Sequence, residues 1–287
     1  AKIVFPGPRY DADALSDLMS QEGVTYCAGV PSVFIPLVQY WQDTGAKPES
    51  LDMVVVGGAA PPRTLIATME GEFGIEFRHA WGMTEMSPLG SVNTLLPSHR
   101  EQSVEEYSHF QTKQGRPPFG VQLRIVDDDG KPLPHDGVMF GELQVRGPWV
   151  VDGYFKEDKS QLTPDGWFPT GDVATIDGQS YIQITDRTKD LIKSGGEWIS
   201  SIDVENTAMG HPDIIMAAVI GVPHEKWGER PLMIAVPTPD SSPTKESVLK
   251  YLSETLAKWQ LPDDVIFVDE LPMGATGKVR KVALREE

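Results

Sequence analysis

Between residues 53 and 62 the chain reads MVVVGGAAPP, and this stretch leaves few folds open. A run rich in β-branched side chains predicts a short buried strand, Gly57 and Gly58 predict a turn, and Pro61-Pro62 suit the start of a helix rather than its middle. The next segment, TLIATMEGEF, places Leu65, Ile66 and Met69 on one helical face. A second short strand, IEFRH at 75–79, then runs into WGMTEMSP. Strand, glycine turn, helix and strand is the pattern of a parallel α/β sheet, whose ligands bind beyond the carboxyl ends of its strands. The loops after Val56 and after His79 are therefore expected at one sheet edge.

The pattern changes further on. Residues 95–118, LLPSHREQSVEEYSHFQTKQGRPP, are polar and broken by prolines, which predicts a connection over the surface. VQLRIVD (121–127) and GELQVRG (141–147) alternate, and DVATI and SYIQIT flank Asp177-Gly178 as a hairpin, so a small antiparallel β-barrel is expected. Beyond DRTKD, Ser200 and Asp203 suggest a capped helix closed by Gly210, and IIMAAVIGV reads as a buried strand. Val248, Leu249, Leu252, Leu256 and Trp259 share one helical face, and VIFVDELPMGATGKVRK reads as a strand entering a basic, glycine-bearing loop.

The chain carries 42 Asp and Glu against 25 Lys and Arg, and its net charge of −17 disfavours nucleic acid or an anionic membrane as partner. An anionic ligand needs a local basic pocket. DRTKDLIKSGGEW supplies Arg187, Lys189 and Lys193 beside Gly195 and Gly196. Cys27, the only cysteine, excludes an internal disulfide and reads as a small buried hydrophobe in a reducing compartment. The six histidines lack metal-ligand spacing, so no zinc is expected. No apolar run has the length to cross a bilayer and no signal region opens the chain, so a soluble cytoplasmic protein is expected.

Several positions could carry chemistry. In WGMTEMSP, the Thr84 hydroxyl can meet a phosphate oxygen, the Glu85 carboxylate can meet Mg²⁺, and Trp81 offers a flat face to a base; a helix N-cap explains Thr84 equally well. In Thr170-Gly171-Asp172 the carboxylate could accept both ribose hydroxyls, although TGD is also an ordinary turn. Gly141, Gly147 and Gly153 read as scaffolding. GATGK invites a phosphate-loop reading that fails, because Pro272 replaces the first glycine of that motif and Val279 its Ser or Thr. Lys278 would matter only if domains fold together so that it joins Arg187, Lys189 and Lys193 on one anion.

In this order GGAAPP, WGMTE, GELQVRG, TGD, DRTKDLIKSGGEWIS and PMGATGK resemble the adenylate-forming superfamily of acyl-CoA synthetases, firefly luciferase and nonribosomal adenylation domains. KDLIKSGGEWISSIDVEN, HPDI, PHEKWGERP and AKWQLPD look most like medium- and long-chain fatty acyl-CoA synthetases and the related 3-methylthiopropionate ligases. The superfamily's Ser/Thr/Gly-rich phosphate loop belongs upstream of GGAAPP and is not found here, so the chain is expected to be a C-terminal half.

The resemblance implies an acid–thiol ligase that joins a carboxylate to ATP through an acyl-adenylate and passes the acyl group to coenzyme A, with Mg²⁺ as cofactor. The alternatives are a non-catalytic AMP- or acyl-CoA-binding module and an adenylation domain serving a carrier protein. By resemblance, Gly58, Ala59 and Ala60 form the adenine turn, Trp81 and Gly82 flank the base, Thr84 meets phosphate and Glu85 binds Mg²⁺. Asp172 holds the ribose, Arg187 approaches ribose or phosphate, Gly195 and Gly196 leave room for pantetheine with Glu197 and Trp198 bordering that passage, and Lys193 is a further cofactor-binding residue. Lys189 is the hinge and Lys278 the adenylation lysine. Residues 1–105 would end the large α/β domain, 106–185 form its β-barrel, and 186–287 make a mobile α+β domain; a homodimer is compatible with this plan.

Overall fold

The computed structural model describes all residues except 158, 189, 196, 275–278 and 287, and it leaves out the side chain of His109. Two compact units emerge. The first comprises Ala1–Val121, Gly147–Val150 and Ser180–Ile182, and the second Gln122–Arg146, Val151–Gln179 and Gln183–Glu287.

The first unit runs α1 (Ala12–Glu22), β1 (Tyr26–Gly29), α2 (Pro31–Thr44), β2 (Met53–Val56), α3 (Arg63–Ala67), β3 (Glu76–Gly82), β4 (Leu89–Val92), α4 (Pro97–Arg100) and α5 (Val104–Gln111). Strands β1, β2 and β3 are parallel and β4 returns antiparallel to β3, as the strand–turn–helix–strand pattern requires. The core forms where Val54 and Val56 meet Phe34, Leu37 and Trp41 of α2 and the expected stripe of Leu65, Ile66 and Met69. Each such side chain contributes roughly 1.5–3 kcal/mol when fully buried. The Trp41 indole N–H donates to Ser16 Oγ at 3.0 Å, so its one polar group is satisfied inside the core.

The 95–118 segment is more ordered than its polarity suggests. Ser103 accepts from the Glu106 N–H while the Glu106 carboxylate accepts from the Ser103 N–H, a capping box that starts α5. The helix is then tied to β3 by Gln111, whose Nε2 donates to the Phe77 carbonyl at 2.9 Å.

On β3, His79 is buried and its Nδ1–H faces the Thr112 carbonyl at 2.9 Å; burial lowers its pKa to about 4 despite that acceptor. The neutral ring therefore contributes stability that is present above pH 6.5 and is lost as pH falls through 4, roughly 3 kcal/mol. Asp203 in the second unit has the opposite sign. Burial raises its carboxyl to about 6, so its contribution is present below pH 3.8 and disappears as pH rises through 6. Between pH 7 and pH 5 the first unit should lose hydrogen-exchange protection relative to the second; parallel slopes in the two units would exclude this assignment.

The second unit holds two sheets. One consists of β5 (Gln122–Val126), β6 (Phe140–Arg146), β7 (Phe168–Ile176) and β8 (Ile182–Arg187), whose first residue belongs to the other unit, in the order β5-β6-β7-β8. The barrel expectation is thereby corrected. β5 and β8 are the two edges of an open sheet, and among the described residues no sheet closes on itself. The described residues of 147–167 carry turns and bends rather than strands, and four strands are too few to wrap a filled interior. The fold is a mixed α/β one with open sheets.

The other sheet contains β9 (Ile192–Ser194), β10 (Glu197–Ile199), β11 (Ile214–His224), β12 (Gly228–Pro237) and β13 (Asp264–Phe267), with α6 (Ser201–Ala208), α7 (Lys245–Ser253) and α8 (Lys281–Glu286). Ser200 caps α6, its Oγ accepting from the Asp203 N–H at 3.1 Å. Val204 and Ala208 of α6 pack with Val219, Met233, Val248 and Leu252. The expected face of α7 is cut short, because the helix ends at Ser253; Leu256 still packs on the core, whereas Trp259 lies on a separate 3₁₀ turn and is exposed. Helix α8 begins at Lys281, close after Val279, and was not expected from the sequence. No described helix is long and apolar enough to cross a membrane.

Candidate functional site

In the first unit the parallel register places the carboxyl ends of β2 and β3 side by side, with Val56 opposite His79. Gly57, Gly58, Ala59 and Ala60 therefore leave the sheet at the edge toward which β3 continues through Trp81 and Gly82. Trp81 and Gly82 are strand residues, not loop residues, because β3 runs on to pair with β4. At Gly82 a Cβ would lie 1.9 Å from the Pro88 carbonyl oxygen, so only glycine lets the two backbones approach this closely.

The loop beyond is closed by hydrogen bonds from Met83 N–H to Pro88 O, from Met86 N–H to Met83 O and from Ser87 N–H to Thr84 O. Thr84–Met86 form a 3₁₀ turn whose N-cap is Met83 without a side-chain cap bond, which removes the helix N-cap explanation of Thr84. Thr84 is exposed and Glu85 half-buried. A carboxylate next to a hydroxyl has donor chemistry that suits Mg²⁺, which takes one or two protein carboxylates and completes its shell with water and substrate phosphate. Among the described residues no cluster of three His, Cys, Asp or Glu side chains is arranged to hold a metal.

In the second unit the β7–β8 neighbourhood joins two motifs that lie apart in sequence. Asp172 on β7 is buried, and Arg187 at the end of β8 reaches it with Nε 2.7 Å from Oδ1. Thr188 reinforces the junction by donating its N–H to the Gly171 carbonyl at 3.0 Å, and the Asp172 N–H donates to Thr170 Oγ1. Arg187 itself remains nearly half-exposed, so a guanidinium held at one nitrogen by a buried carboxylate keeps other donors toward solvent.

Strands β9 and β10 pair antiparallel, with Lys193 opposite Trp198. Lys193 Nζ lies 4.4 Å from the Trp198 ring centroid, and Phe140 packs edge-on to the same indole at 5.6 Å. Gly195 has φ +62°, and a Cβ there would sit 2.7 Å from the Trp227 ring, so both its conformation and its space call for glycine. Arg230 braces these strands through Ser194 Oγ, the Trp259 and Leu261 carbonyls and Asp263, a role that the GERP motif did not reveal.

The structure thus brings together Asp172 and Arg187, and separately Lys193 and Trp198, while Arg187 and Lys193 take different partners. Lys189, Gly196 and Lys278 lie outside the described residues. Missed in the sequence is a buried charged cluster of Asp186, Glu205 and Lys281. The spacing of Lys281 and Arg285, four residues apart on one helix face, was the signal available for it. Burial also raises the Cys27 thiol, which keeps it protonated and favours a packing role.

The AMP-binding enzyme family matches residues 1–155, more than half of the chain. The chain belongs to the AMP-binding enzyme family. The family's C-terminal domain matches residues 203–278, so the match continues into the second unit. Among relatives of this AMP-binding chain, a 3-methylmercaptopropionyl-CoA ligase of Ruegeria lacuscaerulensis is 52% identical over 287 residues, 100% of this chain and 53% of that protein. A medium-chain-fatty-acid–CoA ligase of Ectopseudomonas oleovorans is 50% identical, again over 100% of this chain and 53% of its own length. The chain spans about half the length of these relatives. Among solved structures, ATP-bound MatB from Rhodopseudomonas palustris has a TM-score of 0.81 at 30% identity, covering 97% of this chain and 53% of that one. The anthranilate CoA ligase AuaEII in complex with anthranoyl-AMP gives 0.85 at 26%, covering 99% and 53%. The superfamily resemblance drawn from the ordered motifs is borne out.

Proposed function

We propose that the protein carrying this chain is an ATP-dependent acid–thiol ligase, which activates a fatty acid or a related short thioether acid as its acyl-adenylate and passes the acyl group to coenzyme A. The observation that carries this reading is identity of about half, over the whole chain, to two ligases of that kind. The site chemistry agrees with it. The turn at Gly58, Ala59 and Ala60 and the Trp81 ring would take adenine, the Thr84 hydroxyl a phosphate oxygen, and Asp172 with Arg187 the ribose and its neighbouring phosphate.

Glu85 would hold Mg²⁺, which supplies charge neutralisation at the phosphates. Lys278 would supply the adenylation lysine. Gly195, Gly196, Lys193 and Trp198 would border the passage for pantetheine, and residues 186–287 would turn about Lys189 between the two half-reactions. The cytoplasm, where a lone thiol stays reduced, is the proposed compartment.

The deciding experiment is carboxylate-dependent ATP–pyrophosphate exchange by the full-length protein, followed by competition between coenzyme A and a carrier protein as acceptor. Exchange with fatty or methylthio acids and transfer to coenzyme A is the expected outcome. Exchange followed by transfer only to the carrier protein would move the chain to the carrier-dependent class. AMP binding without exchange would make it a binding module.

A further inference from the structure

Strands β9 and β10 have three residues each, and an isolated antiparallel pair is marginal in water even when it is longer. Other contacts must hold them. Among the described residues the register of β9 on β12 is a single pair, Ser194 opposite Gly228, to which the Gly195 N–H adds a bond to the Trp227 carbonyl at 2.8 Å. Ile192 and Ile199 sink into the core of the same unit, but apolar contact is non-directional and leaves the tilt of the strands open.

Direction comes from two neighbouring side chains at the start of β12. The Glu229 carboxylate turns toward β9 and accepts from the Lys193 N–H at 3.0 Å. Gly221 on β11 leaves space for it, since a Cβ there would lie 3.1 Å from Glu229 Oε2. Arg230 holds the next residue of β9, its Nη1 donating to Ser194 Oγ at 3.1 Å and to the Trp259 carbonyl at 2.7 Å. The guanidinium is itself pinned. Its Nε donates to Asp263 Oδ1 at 2.9 Å, and its Nη2 donates to the Leu261 carbonyl at 2.9 Å. With the side chain only 12% exposed, these donors are turned into the protein and not toward a ligand.

Alternation along β9 links these inward bonds to the outward face. Ile192 and Ser194 are buried and Lys193 between them is exposed, so holding the Lys193 amide and the Ser194 hydroxyl fixes how Lys193 and Gly195 are presented.

We propose that Glu229 and Arg230 are positioning residues for thioester formation: between them they set the height and tilt of the β9 segment that carries Lys193 and leads into Gly195. The inference rests on the reading of that segment as a border of the pantetheine passage. Neither side chain needs to touch coenzyme A. Arg230 has partners at all three of its nitrogens, and the negative charge of Glu229 opposes the phosphates of coenzyme A.

In the full-length protein, Glu229→Met and Arg230→Met should each lower single-turnover thioester formation from supplied acyl-adenylate about tenfold, within the ~10²-fold that a 1 Å misplacement costs. Acyl-adenylate formation should be unchanged. Glu229→Gln keeps an oxygen for the Lys193 N–H and should recover most of the lost rate. Arg230→Lys should not, because a compact ammonium cannot reproduce the planar fork that reaches Ser194, Leu261 and Asp263 together. Pantetheine, offered in place of coenzyme A, lacks the nucleotide and its phosphates, and each variant's fractional loss should be the same with either thiol. A loss seen with coenzyme A and absent with pantetheine would make these side chains part of the nucleotide contact and overturn the positioning role. Equal losses in both half-reactions, or no loss in either, would overturn it too. Should Arg230→Met fail to fold, the comparison of Glu229→Met with Glu229→Gln decides. Gly195→Ala measured in parallel separates the two ideas: if it slows thioester formation while Glu229→Met does not, only the positioning role fails. If Gly195→Ala itself spares thioester formation, the reading of the passage fails and the positioning role with it.

Discussion

Lys278→Ala is expected to reduce acyl-adenylate formation by about 10²–10³ while leaving thioester formation from supplied acyl-adenylate nearly unchanged. The asymmetry follows from where charge develops. Attack of a carboxylate on the α-phosphorus spreads negative charge over the phosphoryl oxygens, and a preorganised ammonium stabilises that state more than it stabilises bound ATP. Loss of one such donor is typically worth ~3–4 kcal/mol of barrier. Attack of a thiol on the finished acyl-adenylate places its charge on the carbonyl oxygen, where this lysine has no part in the proposed scheme. Separate single-turnover measurements of pyrophosphate release and of thioester formation decide the matter. Comparable losses in the two would assign Lys278 a structural role, and retained pyrophosphate release would remove it from the site.

Much of this arrangement was legible in the sequence, for identifiable physical reasons. MVVVGGAAPP fixed a strand and a turn because β-branched residues, paired glycines and paired prolines each exclude most backbone conformations, and β2 duly ends at Val56 with Gly58 at φ +82°. The Asp172–Arg187 contact was within reach because Asp177-Gly178 marks a tight connection, which brings TGD and DRT to neighbouring strands. Closure of a sheet was not legible. Alternation reports which face of a strand is buried, not whether the last strand returns to the first, and a run of alternating segments suggested a barrel where the chain builds an open sheet of four. The polar composition of 95–118 likewise hid the Ser103/Glu106 capping box, although both residues of that signal were present. The Lys281 cluster was hidden for a third reason: the partner Ser201 lies 80 residues away, and a short basic stretch after glycines reads as solvated loop until tertiary contacts make it a helix.

Asp172→Asn should raise KM for ATP, lowering kcat/KM for adenylation by roughly 10²-fold. A buried carboxylate that accepts two ribose hydroxyls makes two hydrogen bonds to a charged group, each contributing about 1.5–3 kcal/mol, and an amide keeps only part of that. Asparagine has nearly the same volume, so packing around β7 should survive. Arg187, which loses its ion pair at 2.7 Å, is exposed enough to be hydrated instead. A purely structural effect would weaken every nucleotide alike. Ribose recognition makes a sharper demand: the unmodified protein should prefer ATP over 2′-deoxyATP, and Asp172→Asn should shrink that preference, because the hydroxyl missing from the analogue is one the variant no longer grips. Arg187→Leu supplies the contrast. It takes one charged donor from the buried Asp172 carboxylate and should lower the stability of the second unit by about 1–3 kcal/mol, less than for a fully buried pair because Arg187 is nearly half-exposed. If Asp172→Asn loses affinity for ATP and 2′-deoxyATP in equal measure, Asp172 serves Arg187 rather than the ribose.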